Sequence, residues 1–195
     1  VYSYLTKGKP EKKRENFVKT KPVLNLGNNN INGSGITLIP LEPHKALETI
    51  LNIETLMKTL PGCENLQVSK TNLYTGTIKI GFGPIRGIYN FSIQLSNLTK
   101  PSSIKLIGDA NGPLGIVSGE GFVNLYKNKH GKTELSYKYQ AEVSGKIAAV
   151  GGRLINTASK IIIKQFFDAL IKEIDPSTYS FNIIKYITKI FGGLR

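Results

Sequence analysis

Two histidines, one cysteine and thirteen carboxylates are the groups this chain offers for acid–base, nucleophilic or metal chemistry. His44 follows Pro43 at a helix start, and His130 sits in the turn Asn128-Lys129-His130-Gly131. Neither stands at a ligand spacing from another His, Asp or Glu. Cys63 comes directly after Pro61-Gly62, a helix stop, where a small thiol with no activating partner is a packing residue. A single cysteine also excludes an internal disulfide and a cysteine-cluster metal site. Gly81-Phe82-Gly83-Pro84 lacks the lysine and the following helix that a phosphate loop needs, so it reads as a strand-end turn. Glu120 and Glu142 are the candidates for an acid/base pair, yet their spacing does not single them out. Gly119-Glu120-Gly121 reads instead as a bulge or bend in a curved sheet. The chemistry on offer is binding rather than catalysis.

The strongest binding signal is the stretch 145–167, GKIAAVGGRLINTASKIIIKQFF. Its spacing predicts one long helix. Ile147, Val150, Leu154, Ile155, Ala158, Ile161, Ile162, Phe166, Leu170 and Ile174 recur every three or four residues and form one wide apolar face. Arg153, Lys160, Lys164 and Asp168 fall on the other face. A helix of about 28 residues spans roughly 40 Å, enough to cross a whole sheet. The pair Gly151-Gly152 inside it costs about 2 kcal/mol against alanine, which calls for something that approaches the backbone closely.

The elements that position this helix follow from alternation and turn chemistry. Residues 31–39 make a first strand, then Glu42 or Pro43 opens a short helix to Leu51 and a second runs from Ile53 to Leu60. Strand-like runs follow at 64–70, 72–82, 85–98, 102–110, 116–127 and 132–144. They alternate as in Ile78/Ile80/Phe82, Phe91/Ile93/Leu95, Phe122/Asn124/Tyr126 and Leu135/Tyr137/Tyr139. Gly83-Pro84, Gly112-Pro113 and Asn128–Gly131 divide them. With no helix between them the strands must form an antiparallel meander. The expected fold is α+β, a curved antiparallel sheet of about seven strands gripping one long C-terminal helix.

Charge divides the chain into three parts. Residues 1–27 carry seven Lys/Arg against two Glu, and residues 176–195 carry Lys185, Lys189 and Arg195 without an acid. We read 1–30 as a basic, disordered arm, 31–175 as the folded domain and 176–195 as a basic amphipathic tail. In the tail, Phe181, Ile184, Ile187, Ile190 and Phe191 gather on one face, with Lys185 and Lys189 opposite. About 12 residues cannot span a bilayer, but they can lie in its interface with lysines towards anionic headgroups. The N-terminal charges stand where a signal peptide needs apolar residues, so a cytoplasmic protein peripheral to the inner membrane face is expected. The pI of 9.7 also suits nucleic acid. Against that, basic residues of the body interleave with acids, and no aromatic–basic strand motif is present.

Several motifs stand together in one order: Pro61-Gly62-Cys63, Gly83-Pro84-Ile85-Arg86-Gly87, Gly112-Pro113-Leu114-Gly115, and Gly145-Lys146-Ile147-Ala148 running to Gly152-Arg153-Leu154-Ile155 and Phe166-Phe167. Over roughly 31–172 the chain thereby resembles the CoxG family of carbon monoxide dehydrogenase, which belongs to the START-like helix-grip superfamily (SRPBCC). Leu47 and Asn52-Ile53 stand where that family often has a tryptophan and an Asp-Pro. The resemblance implies a non-catalytic, membrane-attached accessory protein of a molybdenum-containing dehydrogenase. It also implies a quinone-like lipid held between helix and sheet, linking the enzyme to the respiratory chain or aiding its assembly. Two alternatives stay open: a freestanding START-like lipid-binding or cyclase-like protein, and a basic nucleic-acid-binding protein.

A helix-grip fold encloses an apolar cavity, which suits an apolar ligand with few polar anchors. The residues expected to line it are Gly151, Leu154, Ile155 and Ala158 from the helix, with Tyr74, Phe82, Phe91, Phe122 and Tyr137 from the sheet. A tyrosine hydroxyl or Arg153 would anchor a ligand oxygen. No metal and no covalent cofactor is expected.

Overall fold

The computed structural model describes residues 30–70, 72–96 and 103–177. Strand β1 (Asn30–Ile39) leads to helices α1 (Pro43–Leu51) and α2 (Ile53–Thr59). Six strands follow: β2 (Cys63–Lys70), β3 (Leu73–Phe82), β4 (Ile85–Ser96), β5 (Ser103–Gly112), β6 (Gly115–Lys127) and β7 (Thr133–Ser144). A 3-10 segment, Lys146–Val150, then precedes helix α3 (Gly152–Ile174). The strands form one antiparallel sheet in the order β1-β7-β6-β5-β4-β3-β2, so the first strand closes against the last. The two short helices are what carry the chain from one sheet edge to the other.

Each boundary has a local cause. Pro43 occupies the first turn of α1, where its missing N–H is no loss. Asn52 caps α2 by accepting the Thr55 N–H at 3.0 Å. Gly62 follows α2 at φ 76, and a side chain there would strike the Lys79 carbonyl. Gly119 and Gly121 sit in continuous register with β5 and β7, so there is no bulge at Glu120. A Cβ at Gly119 would fall 2.5 Å from that of Ala141, a close approach of neighbouring strands that only glycine allows.

Helix α3 lies on the concave face over two buried clusters. Ile39, Ala46, Leu95, Ile104, Leu125, Leu135 and Leu170 form the first, at the end closed by α1 and α2. Ile31, Ile85, Val143, Ile147, Ile155 and Ala158 form the second, at the opposite end. The ion pair Lys58–Glu173 (2.6 Å) joins α2 to the last turn of α3.

The helix differs from the sequence reading in one respect. It is not continuous through the glycine pair: Gly151 has φ 95, ψ 134 and separates the 3-10 segment from α3. An L side chain is strained at that angle, whereas glycine adopts it freely. A Cβ at Gly151 would meet nothing within 4 Å, so the glycine serves a break in the chain and not a close approach to its backbone. Among the described residues no helix is long and apolar enough to cross a membrane.

Candidate functional site

Between the concave face and α3 lies an apolar chamber with three lobes that share Phe91 and Ile93. The first, about 290 Å³, is walled by Ile80, Ile85, Tyr89, Val117, Ile147 and Ile155 among others. The second, about 230 Å³, lies towards α1 and α2 between Leu51, Leu60, Leu66, Tyr74 and Phe166. The third, about 420 Å³, runs under β5–β7 past Tyr137, Tyr139, Ile163 and Phe167. No histidine, lysine or carboxylate lines the first two. Such a lining favours a ligand that is mostly hydrocarbon.

Polar atoms in this wall are few, and their hydrogen bonds divide them into two kinds. The Tyr74 hydroxyl donates to the Leu51 carbonyl at 3.2 Å, and Ser159 Oγ donates to the Ile155 carbonyl at 2.9 Å. Both are satisfied within the fold. The hydroxyls of Tyr89 and Tyr139 are buried without a hydrogen-bond partner, as is Asn156 Oδ1. Burial pushes the Tyr89 and Tyr139 phenols above their ordinary pKa, so both stay protonated and can donate. Unpaired donors in an apolar wall are costly unless something accepts from them. They are the natural seats for oxygens of a bound molecule.

β1 places one of these tyrosines. Gly33 and Gly35 lie opposite Tyr139 and Tyr137, and a Cβ at either would collide with the hydroxyl end of the facing tyrosine. The two rings thus lie flat over the glycines of an edge strand, with Tyr137 stacked on Phe167 at 5.4 Å between centroids. Glycines at alternate positions of β1 are the sequence signal for this arrangement, one that hydrophobic periodicity passes over.

Of the residues expected in the lining, Tyr74, Phe91, Tyr137, Ile155 and Ala158 meet at the chamber. Phe82 packs beside the second cluster and lines none of the three lobes. Leu154 and Arg153 also lie outside them, and Arg153 and Gly151 are exposed. Phe122 is on the opposite face of the sheet, 40% exposed, under the Lys105 ammonium at 5.3 Å. The alternation in β6 has the opposite parity to the one expected: Val117, Val123 and Leu125 face inward, while Phe122 and Tyr126 face solvent. Tyr89, Tyr139 and Val117 join the lining without having been expected there. Residues Phe181, Ile184, Lys185, Ile187, Lys189, Ile190 and Phe191 of the tail lie outside the described residues, as does the arm 1–29.

The remaining candidates for chemistry are accounted for on the outside. Glu120 and Glu142 project from the convex face, and Glu120 is held by Lys105 (2.8 Å) and Gln140 (2.7 Å). Those hydrogen bonds pull its carboxyl below the usual range. Burial pushes the Cys63 thiol up, the wrong direction for a nucleophile. His44 faces only Glu48, one helical turn away, and His130 is exposed. Among the described residues no group of His, Cys, Asp and Glu is placed to hold a metal ion.

Comparison with known proteins points to one family. The family model for CoxG, the G subunit of carbon monoxide dehydrogenase, matches residues 35–175. A conserved protein from Geobacillus kaustophilus is 30% identical over 75% of this chain and 97% of its own, with a TM-score of 0.71. A START superfamily protein from Mycobacterium smegmatis shares the fold at 10% identity (TM-score 0.58, 74% and 97% covered). So does the Zhui aromatase/cyclase from a Streptomyces species at 8% identity (TM-score 0.58, 75% and 94% covered). Comparison with curated proteins gave no match.

Proposed function

The chain belongs to the CoxG family of carbon monoxide dehydrogenase, and on that premise we propose that it is a non-catalytic accessory protein whose chamber holds one apolar, ring-headed lipid of the quinone type. The observation that carries this reading is the pair of unpartnered hydroxyls, Tyr89 and Tyr139, inside an otherwise hydrocarbon wall. A quinone has the matching chemistry: two carbonyl oxygens that only accept, on a flat ring that stacks against Phe91 or Tyr137, with an apolar chain for the remaining lobe. A fatty acid fits less well, because its carboxylate would enter a wall without a cation.

The family further suggests the partner, a molybdenum hydroxylase of the carbon monoxide dehydrogenase type, to or from which the lipid would carry reducing equivalents. The tail 176–195 would hold the protein at the inner face of the cell membrane. The test is direct. Full-length protein isolated from its own membranes is expected to release a ring-headed lipid, at about one per chain, on solvent extraction and native mass spectrometry. The chain has nine tyrosines and no tryptophan, so a short-chain quinone should quench its tyrosine emission, and a hydrocarbon chain without carbonyls should bind more weakly. Empty protein together with no quenching would overturn the reading. Co-purification with dehydrogenase subunits tests the partner separately.

A further inference from the structure

The turns and the strap at one end of the molecule carry cations and no acids. That end is built from the β3–β4 turn, the β5–β6 turn, the 3-10 segment and the first turn of α3. These pieces are in contact: the Ile147 N–H donates to the Leu114 carbonyl at 2.7 Å, and a methyl group at Gly87 would fall 2.5 Å from the Pro113 ring. Phe82, Leu114 and Val150 pack on the same buried cluster beneath. Residues 81–88, 111–117 and 144–157 contain Arg86, Lys146 and Arg153 and not one Asp or Glu. All three cations are exposed, and Arg86 is fixed to its own turn by Nε donating to the Gly83 carbonyl at 2.8 Å. No acid and no capping side chain stands at the N-terminus of α3, whose positive end adds to the same field. The far end of the sheet differs, since there Lys127 pairs with Glu42 (3.2 Å) and Lys58 with Glu173 (2.6 Å).

The chamber reaches this end. Its first lobe is walled there by Ile80, Ile85 and Val117 and by Ile147 from the 3-10 segment. That segment is a strap of five residues between Gly145 at φ 83 and Gly151 at φ 95. The other exposed groups of these segments are uncharged, among them Gly83, Pro84, Pro113 and Ala149 and the larger Ile88 and Ile116.

We infer that an anionic lipid surface docks on this end, and that the apolar ligand passes between the strap and the two turns. The inference rests on the carrier reading above and names the face that meets the lipid. Cations matched to headgroups hold the surface, and uncharged tips let it approach the strap without desolvating a carboxylate. An acidic protein would match the charge equally, but it would have no use for an apolar lobe directly behind the contact.

The experiment uses the full chain with Cys63→Ser and a single new cysteine carrying a polarity-sensitive fluorophore, at Ala149→Cys in the strap or at Lys129→Cys in the far turn. Vesicles of phosphatidylcholine containing phosphatidylglycerol should blue-shift the label at 149 and not at 129, and salt should reverse the shift. Pure phosphatidylcholine should give little shift. Arg86→Glu with Lys146→Glu should weaken the 149 response about tenfold or more. Sedimentation with vesicles while the 149 label stays unmoved would overturn the docking face and point to the tail. A shift produced by polyglutamate but not by vesicles would overturn it in favour of an acidic partner. Short-chain quinone binding, measured without vesicles on the same samples, reports on the carrier reading alone. Its loss with an intact vesicle response would overturn that reading and leave the docking face standing.

Discussion

The Tyr89 hydroxyl faces hydrocarbon with nothing to bond, a state that costs about 1–3 kcal/mol when no ligand is present. Tyr89→Phe is therefore expected to stabilise the empty protein by about 1 kcal/mol, seen as a raised Tm, while weakening quinone about tenfold. A lower Tm would mean that the hydroxyl contributes to the empty fold and is not reserved for a ligand. Gly151 gives the opposite pattern. With φ 95 and open space around it, Gly151→Ala should lower stability by about 1–2 kcal/mol through backbone strain and leave quinone affinity in solution unchanged. At this scale the sequence was partly legible. Tyr74, Phe91, Tyr137, Ile155 and Ala158 are apolar or amphipathic residues at inward positions, and periodicity finds those. It could not tell that Phe122 points outward, because an aromatic on a solvent face alternates as regularly as one on a core face. Nor could it distinguish the satisfied hydroxyl of Tyr74 from the unsatisfied one of Tyr89, a difference that lies wholly in tertiary neighbours.

Helix α3 has two ends with different tasks. Leu170 is fully buried in the first cluster, and Leu170→Ala should cost about 2–5 kcal/mol in chemical denaturation with no change in ligand specificity. Ala158, one of the smallest side chains facing the first lobe, should behave in reverse. Ala158→Leu places three more carbons in space that is already open, so stability should hold within about 1 kcal/mol while quinone binding is lost. A well-packed core would instead show strain, and a melt lowered by several degrees would argue that the lobe is not a cavity in solution. The elements themselves were legible almost to the residue. Prolines, glycines and alternation mark each strand, and nothing in the tertiary structure overrides them. The break in the long helix was not legible, because periodicity runs through Gly151 without interruption. The 3-10 segment keeps Ile147 and Val150 facing the core, so the apolar pattern continues while the backbone does not.

For the molecule as a whole, the charge pairs set the pH range of stability. Lys105 and Gln140 lower the Glu120 pKa, so the stability this carboxylate contributes is present above the unfolded carboxylate pKa and lost as pH falls through its folded value. Glu173 raises the Lys58 pKa, and that contribution is lost as pH rises through the folded lysine value. Glu120→Gln should flatten the acid limb of Tm against pH and Lys58→Met the alkaline limb, each modestly because the Lys58–Glu173 pair is exposed and the Lys105–Glu120 pair half-exposed. The closure of the sheet has a consequence of another kind. β1, at 30–39, has one strand partner, β7, at 133–144, and α3 follows only after that. The hairpins from β2 to β6 pair with neighbours as they leave the ribosome, but β1 must wait, holding Ile31 and Ile39, both buried in the finished fold, open to solvent until some hundred further residues have been made. The nascent chain is thus a half-built sheet with its core open to solvent, and a binding chamber exists only after translation has passed α3. On the carrier reading proposed above, loading with lipid would be a step of the finished protein's life and never of its synthesis, and the long wait of β1 is the period in which a chaperone has most to do.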